Sequence, residues 1–353
     1  MRRLKLLSLS VALLFASHAV PYLAPLSVAK ADVNVVASIK PVHSLVAAVM
    51  EGVGKPGLIV EGAASPHNYA LKPSQAKMLE DANIVFWIGH DLEPFLEKSL
   101  ETIAAKAKSV ELIDAHDLIK HEFREGGAFD EHGHEEKDDH KETAGHDDHD
   151  KHDKHDDHDD HDKKAKSDHK EHKKAGHDHE AHGAHDAHVW LDPVNAKALV
   201  HEIEETLVEA DPANAGKYEA NAKAISSKID VLIADVAAEL KPLHDKNFIV
   251  FHDAYQYFEK RFDVTASGSI TVSPEVLPGA ERISEIRSKL KGLDAACVFA
   301  EPQFESKLVS TVIEGTKAKS GIIDPLGARL DAGPNLYFQL IQNMAASFKG
   351  CLT

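Results

Sequence analysis

Of 353 residues, 58 are acidic and 40 basic, a formal net charge of −18, and 43% are hydrophobic. That balance argues against nucleic acid and anionic lipid as partners and in favour of cations. The length allows two domains or one large one, with enough apolar residues to bury substantial cores.

The chain opens on an export signal. Arg2, Arg3 and Lys5 precede an apolar run over 6–20, and Ala29-Lys30-Ala31 supplies small residues at both cleavage-recognition positions. Residues 1–31 are therefore expected to be a secretory signal peptide, leaving an exported, soluble chain that begins at Asp32. Pro21 and Pro25 interrupt the apolar stretch, which argues against a spanning helix.

From Val33 short β-branched runs alternate with amphipathic segments. The runs at 33–39, 57–60, 83–88 and 108–112 read as buried strands, and 41–51, 73–80 and 93–105 as the helices between them. This pattern predicts a parallel α/β lobe over 32–120.

Between 121 and 186 the composition changes. This tract holds 16 of the 25 histidines and 23 acidic against 11 basic residues, so it carries most of the charge imbalance. In its middle His146, His149, His152, His155, His158 and His161 recur every third residue. With hardly an aliphatic or aromatic side chain, the tract cannot offset the entropy of ordering and is expected to be a disordered loop. Neutral imidazole is the commonest metal-ligating side chain, and flanking carboxylates concentrate cations, so low-affinity metal binding is expected there.

Residues 187–211, with a helical pattern over 193–208, read as the completion of the first lobe. Residues 212–240 keep a helical period without interior proline, a helix on the order of 40 Å long that can bridge two lobes. Over 241–353 the alternation resumes, with strands at 248–251, 264–270, 296–300 and 321–324. Helices are expected at 255–262, 280–290, 304–317 and 335–348. The fold class expected is α/β: two parallel-sheet lobes joined by one long rigid helix, with the ligand in the interlobe cleft. Cys297 and Cys351 should pair in an exported chain, with two free buried thiols as the alternative.

Three histidines and one aspartate fall where strand-like runs give way to loops. His67 lies in Ser65-Pro66-His67-Asn68-Tyr69, His188 opens His188-Val189-Trp190-Leu191-Asp192-Pro193, His252 follows Phe251, and Asp324 precedes Pro325-Leu326-Gly327. Each alone reads as a surface or core residue. All four at the mouth of parallel sheets read as a ligand set.

These stretches, together with Leu71-Lys72-Pro73-Ser74, Asp253-Ala254-Tyr255 and Phe299-Ala300-Glu301-Pro302-Gln303-Phe304, resemble the zinc-binding solute receptors of bacterial zinc ABC importers, the ZnuA type. The resemblance covers essentially the whole mature chain. It implies two α/β lobes on a rigid helix, Zn2+ as a transported ligand, and delivery to a membrane permease driven by a cytoplasmic ATPase. It also implies His67, His188 and His252 as the zinc ligands and a Cys297–Cys351 disulfide; a monomer is expected. Three imidazoles suit zinc, whereas manganese-selective relatives have a carboxylate at the position of His252. Some relatives have a glutamate before the first histidine, where this chain has Pro66; Asp324 or a water is then the expected fourth ligand. Glu61 and Glu301 lie nearer the candidate site, where hydrogen bonding to an imidazole is a role open to either. His43, His90, His116 and His244 are expected to be structural, with His90 the nearest to the cleft. A zinc metalloenzyme is the rival reading, since three ligands and an open position also describe a catalytic site. No His-Glu-x-x-His run supports it. An extracytoplasmic metal buffer or adhesin is the third reading.

Overall fold

The computed structural model describes residues 33–124, 185–271, 274, 277–293, 295–305 and 307–353. The expected signal peptide and the interior of the histidine tract, including His146, His149, His152, His155, His158 and His161, lie outside the described residues.

The first sheet has strands β1 (Val35–Ala37), β2 (Gly57–Leu58), β3 (Ile84–Trp87) and β4 (Lys108–Glu111) in the order β2-β1-β3-β4. All its pairings are parallel. The central strands β1 and β3 are buried throughout, as expected of continuous apolar runs covered on both faces. Helices α1 (Lys40–Val49), α2 (Pro73–Glu80) and α3 (Pro94–Thr102) each carry a proline in the first turn. There its missing N–H costs nothing and its fixed φ starts the helix.

Two long helices follow, α4 (Pro193–Ala210) and α5 (Ala215–Leu240). The 26 residues of α5 span about 39 Å at 1.5 Å per residue. Its buried face, Tyr218, Ala222, Ile225, Ile229, Leu232, Val236 and Leu240, is one continuous stripe at the three-to-four spacing of an amphipathic helix. That stripe packs on α1 and α4.

The second sheet repeats the first. Strands β5 (Phe248–His252), β6 (Gly268–Thr271), β7 (Cys297–Ala300) and β8 (Lys319–Ile322) take the order β6-β5-β7-β8, again all parallel. Helices α6 (Gln256–Phe262), α7 (Ala280–Gly292), α8 (Lys307–Ile313) and α9 (Leu336–Leu352) connect and complete it. The strand expected at 264–270 is displaced because α6 ends at Asp263 with φ 54°. Val264 N then bonds back to Glu259 O, so pairing starts only at Gly268.

One hydrophobic core runs through both sheets, from Val36 and Phe86 past Trp190 and Ile229 to Phe248 and Phe348. A smaller cluster around Ile249, Phe251 and Val298 covers the remaining face of the second sheet. Polar ties reinforce the junction. Lys40 Nζ crosses to the second lobe and donates to the carbonyls of Gly327, Ala328 and Leu330 at 3.1, 3.0 and 2.9 Å. Trp190 Nε1 donates to Pro325 O and Tyr337 Oη donates to Trp190 O, both at 2.8 Å. The Cys297–Cys351 disulfide fastens the start of β7 to the last turn of α9. Among the described residues no helix is long and apolar enough to cross a membrane.

Candidate metal centre

In the second sheet β5 lies between β6 and β7, so the carboxyl ends of β5 and β7 flank the point where the strand order reverses. Crevices for ligands form there in open α/β sheets. His252 is the last residue of β5, and Glu301 is the first beyond β7. Glu301 Oε1 accepts from His252 Nδ1 at 2.6 Å and from the His252 backbone N–H at 3.4 Å. A carboxylate on Nδ1 makes that nitrogen the donor and leaves the Nε2 lone pair for a ligand. Nε2 is buried and has no hydrogen-bond partner among the described residues. Burial by itself would lower the His252 pKa, but the charge and hydrogen bond of Glu301, helped by Asp253 and Asp186, carry it above the ordinary histidine value.

His188 repeats the device. Asp186 Oδ1 accepts from His188 Nδ1 at 2.7 Å and from its backbone N–H at 3.0 Å. Both residues are buried. The following turn is fixed because Asp192 caps α4 through Val194 N at 2.8 Å. Arg261 grips the same carboxylate at 2.6 and 2.7 Å.

His67 comes from the loop between β2 and α2. Gln75 staples that loop, with Nε2 donating to Ile59 O at 2.6 Å and to Tyr69 Oη at 2.8 Å, while Oε1 accepts from Lys72 N at 2.9 Å. The His67 ring is half-buried, and no hydrogen bond to it is found among the described residues. Its pKa is pushed down to about 2, first by burial and then by the charges of His188 and His252.

The three rings converge. Their centroids are 5.5 Å apart for His67 and His188, 6.0 Å for His67 and His252, and 5.4 Å for His188 and His252. One ligand nitrogen from each lies within 4.8 Å of the other two. The cavity between them, walled by Pro66, Leu92, Trp190, Phe304 and Pro325, has about 10 Å³ of free space. That admits an ion or a water and is far below the roughly 300 Å³ of a pocket for an organic ligand.

Asp324, expected as a fourth donor, stands outside this group. Its Oδ1 accepts from Gln303 Nε2, Leu326 N and Gly327 N at 3.0, 3.1 and 3.0 Å, and its Oδ2 from Ala328 N at 2.6 Å. Gly327 makes that turn with φ 68°, a conformation open to glycine. The carboxylate thus organises the loop that supplies Pro325 to the cavity wall and the carbonyls to Lys40. Glu61 is exposed and faces Lys72 at 3.9 Å rather than an imidazole. His90 is not among the residues that line this cavity; it pairs with Glu97 at 2.9 Å. His43 Nε2 donates to Pro56 O at 3.1 Å, and His244 pairs with Asp263. His116 is exposed. Sequence reasoning missed Asp186, which the acidic tract concealed; its place two residues before His188, beside the apolar Ala187, was the available signal.

The chain matches the family described as "ZnuA: Zinc-uptake complex component A periplasmic" over residues 35–351. It is 58% identical over 320 residues to the "High-affinity zinc uptake system protein ZnuA" of Brucella suis biovar 1 (strain 1330), covering 91% of this chain and 92% of that protein. The ZnuA protein of Yersinia pestis is 34% identical over 326 residues, 91% of this chain and 92% of its own length. Among solved structures, a crystal structure of ZnuA superposes with a TM-score of 0.68 at 21% identity, covering 91% of this chain and 99% of that one.

Proposed function

We propose that this chain, which belongs to the family of periplasmic zinc-uptake components of the ZnuA type, captures one zinc ion on His67, His188 and His252 and hands it to its importer. The family is a non-enzymatic component of a zinc ABC uptake system, whose other parts are the permease and ATPase. The observation that carries the ligand assignment is the convergence of three imidazole nitrogens within 4.8 Å around a space for one ion. The orphaned, buried Nε2 of His252 supports it, because a buried polar atom without a partner is costly unless a ligand satisfies it. Zinc accepts three histidines and a fourth, exchangeable donor in a tetrahedron. The buried carboxylates of Asp186 and Glu301 add two negative charges behind the imidazoles, which offset the charge of a divalent ion. We assign the fourth position to water, since both Asp324 oxygens already accept hydrogen bonds. The chain acts as a monomer, and the histidine tract is a low-affinity collector tethered beside the tight site, where it raises the local zinc concentration.

The test is direct. Alanine at His188 or His252 should abolish tight zinc binding and fail to restore growth of an importer-deficient bacterium under chelation, with the fold retained by circular dichroism. Wild-type affinity in either variant would remove that residue from the site.

A further inference from the structure

The stem of the histidine tract is folded, and it connects the two lobes. Glu122 pairs with His185 in an antiparallel bridge, and Asp186 N donates to His121 O at 2.8 Å. From this pair, contacts run in two directions. Toward the metal centre, Asp186 holds His188 by its Nδ1 and backbone N–H. Toward the second lobe, the stem lies on α6, which begins four residues after His252. Tyr257 Oη accepts from His121 N at 3.1 Å and donates to Asp186 O at 2.7 Å, so one hydroxyl ties both strands of the stem to α6. Gln256 Nε2 donates to Glu122 O at 3.0 Å. Arg124 places its guanidinium between two carboxylates of the second lobe. It bonds both oxygens of Asp253, with Nε to Oδ2 at 2.9 Å, and reaches Glu259 with Nη1 to Oε2 at 2.7 Å. Tyr257, Asp186 and Glu259 are buried, so this is an interior junction rather than a set of surface pairs.

We infer that this stem is an interlobe strap whose positioning residues, Arg124 and Tyr257, govern how long zinc is retained. The inference rests on the assignment of His67, His188 and His252 as the zinc ligands. His188 belongs to the segment that follows the stem, and His252 to the strand that precedes α6. Asp253, gripped by Arg124, is the neighbour of His252 in the chain. The strap therefore fixes the separation of two ligands from different elements and sets the position of the carboxylate that orients one of them. Groups bonded directly to a ligand histidine are worth about 10 to 100-fold in metal affinity, and Tyr257 and Arg124, which act one contact further out through Asp186 and Asp253, belong at the low end of that range. Because they alter the holding of a bound ion rather than its approach, the effect belongs in the release rate.

The experiment uses the full mature chain loaded with one equivalent of zinc. Release is followed by stopped-flow after mixing with excess chromophoric chelator, and association is measured separately. Tyr257→Phe keeps the ring in place and removes both of its hydrogen bonds to the stem; Arg124→Lys keeps a charge and loses the two-sided grip. Both should release zinc about tenfold faster with association unchanged. Both should also shift the visible absorption of the cobalt-substituted protein, a signature of ligand geometry that lowered global stability alone leaves intact. A chain in which 126–184 is replaced by a short Gly-Ser linker keeps the stem and should release zinc at the wild-type rate. Glu259 is buried beside the guanidinium, so where Arg124→Lys does not fold, Tyr257→Phe alone decides. Wild-type release and cobalt spectrum in Tyr257→Phe and in any folded Arg124→Lys would overturn the strap while the ligand assignment stands. Equal acceleration by the linker replacement would also overturn it, placing control in the insert. A wild-type chain without tight zinc, or a His188→Ala chain that keeps it, would remove the ligand assignment and the strap together.

Discussion

Replacing Glu301 with Gln separates the two things its carboxylate does. Its Oε1 is 2.6 Å from His252 Nδ1, and the residue is 3% exposed, so little water screens its charge. Glutamine keeps an oxygen that can accept from Nδ1 but removes the negative charge behind the imidazole. Partners of metal-bound histidine are worth 10 to 100-fold in affinity; with the acceptor retained, a loss of about 10 to 30-fold, near 1.4–2 kcal/mol, is expected at pH 8. The same charge also favours a proton. Burial lowers the His252 pKa, but Glu301 more than reverses this and the net value is raised. Proton and zinc compete for Nε2, and the wild type takes up the proton at higher pH than the glutamine variant does. Its advantage in zinc affinity should therefore shrink steadily as pH falls from 8 to 6. Competition titration against a chromophoric chelator at pH 8, 7 and 6 gives both quantities. Equal affinities at pH 8, or a ratio that does not change with pH, would refute the reasoning.

Further outcomes follow from other residues. Glu93 is fully buried, accepts from Ile88 N and Gly89 N at 2.9 and 3.1 Å, and has its pKa pushed up to about 7, chiefly by burial. Its folded value exceeds the unfolded one, so its contribution is complete at low pH and is lost as pH rises through 7. Glu93→Gln should then stabilise the chain by about 3 kcal/mol at pH 8 and by almost nothing at pH 4, read from urea unfolding. The disulfide closes a separation of 54 residues, which in the chain-entropy model contributes about 4 kcal/mol. The Cys297→Ser, Cys351→Ser double variant should lose stability of that order in denaturant. It should keep its zinc affinity, because Cys297 starts β7 whereas Glu301 follows its far end. His67→Ala, His188→Ala and His252→Ala should each weaken the tight site by about 100-fold or more, while His149→Ala changes it by less than about twofold, since the tract offers many substitutes. Isothermal titration distinguishes these.

Much of this was legible in the sequence. Short β-branched or aromatic apolar runs such as Ile84–Trp87 and 248–251 read as strands covered on both faces, as they are, and the prolines of α1, α2 and α3 marked helix starts. His67, His188 and His252, which the fold brings together, stood out because each sits where a run ends. What escaped depends on contacts that residue type and spacing do not reveal. The strand expected at 321–324 is β8, which starts two residues earlier at Lys319, because exposed Lys319 and Ser320 carry no apolar signal for their pairing with β7. Asp324 looked like a ligand by position, yet backbone amides of its own turn take its oxygens, a local competition that spacing does not reveal. Arg124 and Asp186 resemble every other charge in an acidic tract; only the fold brings one to Asp253 and the other to His188.

The measurement that bears most directly on the site is X-ray absorption at the zinc edge on a chain with 125–184 removed, loaded with a single equivalent of zinc. It should show three imidazole nitrogens and one oxygen at distances near 2.0 Å, and a loss of one imidazole in His252→Ala. A coordination sphere with fewer than three imidazoles, or one unchanged in His252→Ala, would contradict the account.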